Sequence, residues 1–274
     1  VRVAGSADTG AMSYRVGLLL VAVVVGLAVL GPWLSPYDPA AQWLSLRLQG
    51  PTWAHWLGLD ELGRDILARL IVGARISLLV GVAVVSVSAT AGLVIGAVAG
   101  YLGGWVDTLV GRVMDVLLAF PGILLSIALV AVLGPSLPHV VLALVIGGWV
   151  GYARLVRGQA LKLRELDYVQ AARALGAPTW RILRDHIVPG VLPALVVQAT
   201  LGMAGAIIAE ASLSFLGLGV QPPTPSWGTM LDAGRGHLLD APHLTLVPGL
   251  AIALLVLGLN FVGDGLRARL SPRG

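Results

Sequence analysis

Residues 76–100 read ISLLVGVAVVSVSATAGLVIGAVAG, twenty-five positions without a single charge. As a helix rising about 1.5 Å per residue, this run reaches about 37 Å. The hydrocarbon core of a bilayer is about 30 Å thick. The stretch is far longer than a soluble core helix needs, and its composition suits lipid. Four more windows repeat the pattern at 16–34, 116–134, 187–209 and 244–263, and a shorter one at 136–153 contains His139. The expected fold is therefore all-α, a polytopic membrane protein with six transmembrane helices.

The whole composition agrees. The chain of 274 residues is 57% hydrophobic and 12% charged, with a mean hydropathy of +0.89. Soluble domains carry about 25% charged residues, so the surface that would keep such a chain in water is missing. There is no cysteine, which excludes disulfides and thiolate metal sites. The five histidines are scattered without a pair at ligand spacing, so metal binding is not expected. Residues 1–15 are polar and rich in small residues, the composition of a short disordered tail. The apolar run that follows lacks a small-residue cleavage site and reads as an anchor.

Charge placement orients the bundle. With both termini inside, thirteen of the eighteen basic residues face the cytoplasm, seven of them between 154 and 186. Cytoplasmic loops carry such an excess. The net charge of +4 and the pI near 10.0 are thus explained by the anionic inner leaflet, and nucleic acid is not implied.

Within the spans, Ser88, Gly92, Gly96 and Gly100 recur every four residues, a stripe that lets helix backbones approach closely in lipid. Pro121, Pro189 and Pro193 should kink or begin helices. Glu61 to Arg75 reads as an amphipathic segment on the outer interface. Arg112 and Asp115, three apart, form a candidate helical ion pair. Gln198, Gly202, Ala206 and Glu210 recur every four residues and drift about 40° per step, a slanted polar-and-small stripe. A carboxylate there must face protein or water. It either borders a translocation path or hydrogen-bonds a neighbouring helix end near the outer interface.

The long basic loop holds Tyr168-Val-Gln-Ala-Ala-Arg-Ala-Leu-Gly176, then Arg181-Ile-Leu-Arg-Asp-His-Ile-Val-Pro189. The first run is helical by propensity, and Gly176 and Pro178 stop it. Ala171, Ala172 and Ala174 leave its surface open to close approach, and Arg173 supplies one long polar contact. Such a helix is either an ordinary interfacial linker or a docking helix for a partner's groove.

These two runs resemble the EAA loop of bacterial importer permeases in the ATP-binding-cassette family. Gln170 stands where that family usually has Glu, and Val188 where Leu is common. His55-Trp-Leu-Gly-Leu-Asp-Glu-Leu-Gly-Arg-Asp65 and Gly73-Ala-Arg-Ile-Ser-Leu78 look like the segment before the permease domain of dipeptide, oligopeptide and nickel importers. Ala209-Glu-Ala-Ser-Leu-Ser-Phe-Leu-Gly-Leu-Gly219, with Gln221-Pro-Pro and Ser226-Trp-Gly, is similar to the outer end of span five in the same branch.

The resemblance covers about residues 53–270 and implies the type I importer permease fold, with this chain like the second permease of a pair (dipeptide permease C-like). It implies a tail, first helix and outer segment over 1–74, a permease domain over 75–266 containing the coupling loop 154–186, and a cytoplasmic tail over 267–274. It also implies the bacterial inner membrane, a second homologous permease, two cytoplasmic ATPases and an external solute-binding protein. ATP and Mg would reside on the ATPases, with no cofactor and no catalytic residue here. In agreement, the sequence contains no phosphate-cradling Gly-Lys-Ser/Thr loop. ATPase coupling would fall to Tyr168, Gln170, Ala171, Ala172, Arg173, Ala174, Leu175 and Gly176. The implied cargo is a di- or oligopeptide, with nickel chelates or another small solute as the alternative. An ion-coupled secondary transporter would instead predict inverted repeats and several intramembrane charges.

Overall fold

A computed structural model describes residues 5–270, and among these the regular structure is helical, with one isolated bridge between Leu59 and Asp65. Five helices are long and apolar enough to cross a bilayer: α1 (Gly5–Leu34), α2 (Ile66–Leu102), α5 (Leu137–Leu163), α8 (Val188–Phe215) and α10 (His243–Leu270). The remaining crossing is broken. It consists of α3 (Gly104–Leu118) and α4 (Gly122–Leu133), which meet at 81°.

That bent pair must cross as a unit. The Arg164 guanidinium donates to the Gly100 carbonyl at 3.1 Å, so the C-terminal ends of α2 and α5 lie together. α3 starts at that end, and α4 leads directly into the far end of α5. Six crossings follow. Pro121 sits at the break as the N-cap of α4, where a residue without an N–H costs no helical hydrogen bond. Within the span expected over 116–134, Pro121, expected to kink or begin a helix, stands between two helices and caps the second.

Other boundaries also move. α1 already runs from Gly5, so the described part of the expected tail is helical; residues 1–4, and 271–274 of the C-terminal tail, lie outside the described residues. α5 continues past 153 to Leu163 and carries Arg154, Arg157 and Lys162 on its last turns. The expected amphipathic segment from Glu61 to Arg75 divides at Asp65, which caps α2 by accepting from the Ala68 N–H at 2.8 Å. Before Asp65 the chain is a tight turn; after it, Arg69 and Arg75 belong to the second crossing. Asp115 pairs with Arg154 of α5 at 3.6 Å, in place of Arg112.

Packing follows the small residues. α2 lies along α5, and a Cβ at Gly92 would fall 2.5 Å from the Tyr152 Cβ, one at Gly96 2.5 Å from the Ala153 carbonyl oxygen, and one at Gly100 2.7 Å from the Arg157 carbonyl oxygen. No side chain fits between these backbones, which is how two helices gain dispersion contact where lipid removes the hydrophobic drive. α1 is tied to α2 by a different device. Pro32 has no N–H, so the Ala28 carbonyl lacks its helical donor; the Arg75 Nε donates to it, and Nη2 donates to Val29 O at 3.1 Å.

Candidate functional site

The end of the bundle carrying the basic loop holds the first candidate site. α6 (Asp167–Ala174) follows α5 after a short turn, with Asp167 in its first turn and Arg173 in its last. These charges suit the two poles of the helix dipole. Val169 is buried among Ala97, Val156, Ala160, Ile182 and Ile187 and anchors the helix to the bundle. Gly176, at φ +81°, ends it; its N–H donates to Arg173 O at 3.0 Å and the Ala177 N–H to Ala172 O at 3.1 Å. Only a residue tolerant of left-handed backbone closes a helix this way without strain.

The sequence-derived residues divide into two groups. Ala172 is half-buried and faces the bundle, whereas Ala171, Ala174 and Leu175 are exposed, Leu175 at 89%. Tyr168 is also exposed and meets the His186 ring edge-on at 5.8 Å. Arg173 lines a polar notch with Tyr101, Arg164 and Glu165. Gln170 turns back on its own loop: its Nε2 donates to the Arg164 carbonyl at 2.7 Å. An ionised Glu has only acceptors and could not make this bond, so Gln170 fits its position physically.

Sequence reasoning passed over several contacts at this end. α7 (Thr179–Ile182) touches α6 and leaves Trp180 exposed, with the Arg181 and Arg184 guanidiniums 5.6 and 5.1 Å from its ring. A π-helical turn, Leu183–Ile187, then runs into α8; such turns concentrate at functional positions. At the same end, the Arg157 guanidinium donates to the Asp107 carboxylate through Nε and, at 2.7 Å, through Nη2. This clasps the start of α3 to α5. The spacing of Asp107 and Arg157 in the sequence gives no hint of the pair.

The slanted stripe on α8 is not one surface. Glu210 is fully buried and accepts from the Ser214 hydroxyl at 2.7 Å and from Ser77 of α2 at 3.4 Å. Ala206 packs against Val80 and Val84. Gly202 leaves room for the Tyr152 hydroxyl, which occupies the place of a Cβ. Gln198 alone opens into a cavity, shared with Gln159 of α5 and Arg267 of α10.

The opposite end is closed by a polar knot. Asp60 accepts from the Leu62 and Arg64 N–H groups at 2.9 Å each, from Arg64 Nε at 2.7 Å, and faces Arg69 Nε at 3.4 Å. Asp65 accepts from the His55 ring at 2.9 Å, and Tyr37 and Trp43 pack on that ring. α9 (Trp227–Gly234) begins with a capping box at Ser226 and buries Trp227, whose Nε1 donates to Leu70 O at 2.9 Å. The motif from His55 to Asp65 therefore folds the segment between α1 and α2 onto α2.

Comparison with known proteins agrees with this architecture. Residues 92–273 match the family described as binding-protein-dependent transport system inner membrane component. Residues 14–51 match the N-terminal TM domain of oligopeptide transport permease C. The chain is 47% identical over 256 residues to the glutathione transport system permease protein GsiD of Shigella dysenteriae, covering 93% of this chain and 84% of that protein. For the proteins of the same name from Pectobacterium atrosepticum and Shigella flexneri the identities are 47% and 49%, over 93% of this chain and 85% and 84% of theirs. The long apolar helices, the braced loop helix and these matches lead to one conclusion: the chain belongs to the binding-protein-dependent transport system inner membrane components, as a multi-pass, non-catalytic permease subunit of an ABC importer in the oligopeptide permease branch.

Proposed function

We propose that this subunit joins a second, homologous permease to form the channel through which small peptides cross the inner membrane. Two cytoplasmic ATPases, which carry the ATP and Mg, drive the pair between inward- and outward-facing states, and an external binding protein delivers the cargo. α6 is the coupling element. The observation that carries the reading is its construction: Val169 and the Gln170 bond hold it in place, while Ala171, Ala174 and Leu175 stand exposed, as does Trp180 on the next helix. A surface of small and apolar side chains on a fixed helix outside the bundle suits a partner's groove. A rigid contact is also what transmits a nucleotide-dependent bias between two states. Peptide cargo is supported by the relatives named for glutathione transport.

The chain has no native cysteine, so Ala171→Cys reports a single site. In membranes holding the complete transporter, it should crosslink to an engineered cysteine on an ATPase subunit, with a yield that changes with nucleotide. Absence of crosslinking in every nucleotide state would remove the coupling role.

A further inference from the structure

The cavity at the Gln198 end of the stripe has chemistry that packing does not account for. Its volume is about 370 Å³, and its walls include Gln159, Gly190, Pro193, Gln198, Arg267 and Leu270. Small-molecule sites commonly begin at about 300 Å³ and pair apolar walls with a few convergent polar groups. Here the convergent groups are two amides and one guanidinium from three different helices. Among the described residues, Gln159, Gln198 and Arg267 make no side-chain hydrogen bond or ion pair, and Asp264, one turn from Arg267, makes none with it. Gln159 and Gln198 are half-buried within the bundle, where an unpaired amide is costly, whereas Arg267 is exposed at its end. The three share one open space.

Depth indicates what enters that space. Gln198 lies ten residues into α8 from Val188, about 15 Å along the axis, or about half of a 30 Å hydrocarbon core. Arg267 lies in the last turn of α10 at the loop end. The cavity thus runs from the membrane edge, at Arg267, to mid-depth, at Gln198. A lipid headgroup at the interface would reach Arg267 without using Gln198. A short peptide would use all three.

We propose that this cavity is a cargo site on the cytoplasmic half of the path, in which Arg267 pairs with a carboxylate of a small peptide while Gln159 and Gln198 bond its amide groups. The inference rests on the peptide-importer reading and adds a recognised group to it: the site selects a free carboxylate.

The test uses the complete transporter, with partner permease, ATPases and binding protein, reconstituted in vesicles. Labelled glutathione, alanyl-alanine and glycyl-leucine serve as probes, and each uptake rate is normalised to the ATPase that co-purifies with the complex. Arg267→Gln should lower uptake about tenfold, the scale of one charge-assisted hydrogen bond, and Arg267→Lys should restore part of it. Gln198→Leu provides an independent variant expected to lower uptake several-fold. Uptake unchanged in both Arg267→Gln and Gln198→Leu overturns the cargo site and leaves the importer reading intact. Failure of the unsubstituted transporter to import any of the three peptides overturns both. A defect in Arg267→Gln that appears only in vesicles containing phosphatidylglycerol, and vanishes in phosphatidylcholine, assigns Arg267 to a lipid headgroup and also overturns the proposal.

Discussion

Glu210 has 0% exposure and receives hydroxyls from Ser77 on α2 and Ser214 on its own helix. Replacing it with Ala strands those hydroxyls, and an unpartnered buried polar group costs about 1–3 kcal/mol. Glu210→Ala should therefore lower the thermal unfolding temperature of the purified complex and its yield, while Glu210→Gln, which keeps the acceptor for Ser214, should lie close to the parent. Asp60 is a harsher case. Arg64 and Arg69 are both buried beside it, and breaking a buried ion pair costs about 3–5 kcal/mol. Asp60→Ala should abolish detectable assembled protein on a size-exclusion profile; a normal profile would show that the knot is dispensable. At this scale the sequence is only partly legible. Glu210 stands out because it is the acid within an apolar span. Asp60, Asp65 and His55 are legible as members of the His55–Asp65 run but not as a knot, since the contact that gives them meaning joins a turn to a helix end.

Helices are more legible than their partners, and the reason lies in the physics of each signal. An uncharged run of crossing length has few readings in a protein of this composition, so α1, α2, α8 and α10 follow from length and hydropathy. The Gly92–Gly96–Gly100 stripe is equally plain, but α5 as its partner is not, because the small residues of α2 record only that some backbone comes close. α3 and α4 are partly legible: Pro121 marks a kink or a helix start, but hydropathy runs continuously through it and gives no measure of the 81° turn. The ends of α5 were hidden for the opposite reason, since Arg154 and Arg157 are charged yet helical, satisfied by Asp115 and Asp107. A prediction belongs to the α2–α5 seam. Gly96→Val would drive a side chain into the Ala153 carbonyl and the Arg157 N–H region, and overpacking of this kind costs about 1–3 kcal/mol. Its unfolding temperature should fall, whereas Gly111→Val, where a Cβ meets nothing within 4 Å, should be unaffected by the same measurement.

The molecule as a whole has two unlike ends, and their placement across the membrane decides which of them an ATPase on the cytoplasmic side can reach. One end gathers α6, Trp180 and the last turns of α5 and α10; Arg269 stacks over the Tyr14 ring at 3.9 Å there, so α1 and α10 also meet at this end. The other end holds the Asp60 knot, α9 and the turn before α10, with Trp53 and Leu239 at 98% and 100% exposure. Basic residues concentrate at the first end, and the inner leaflet attracts them. Because the chain lacks cysteine, three single substitutions can read the arrangement directly: Trp53→Cys, Leu239→Cys and Leu175→Cys, none of which disturbs a buried contact. A membrane-impermeant maleimide applied to spheroplasts should label the first two and spare the third. Inside-out vesicles should give the reverse. The reversed pattern in spheroplasts would put α6 on the outside, where no ATPase could reach it, and the coupling proposal would fall together with the direction assigned to the Gln198–Arg267 cavity.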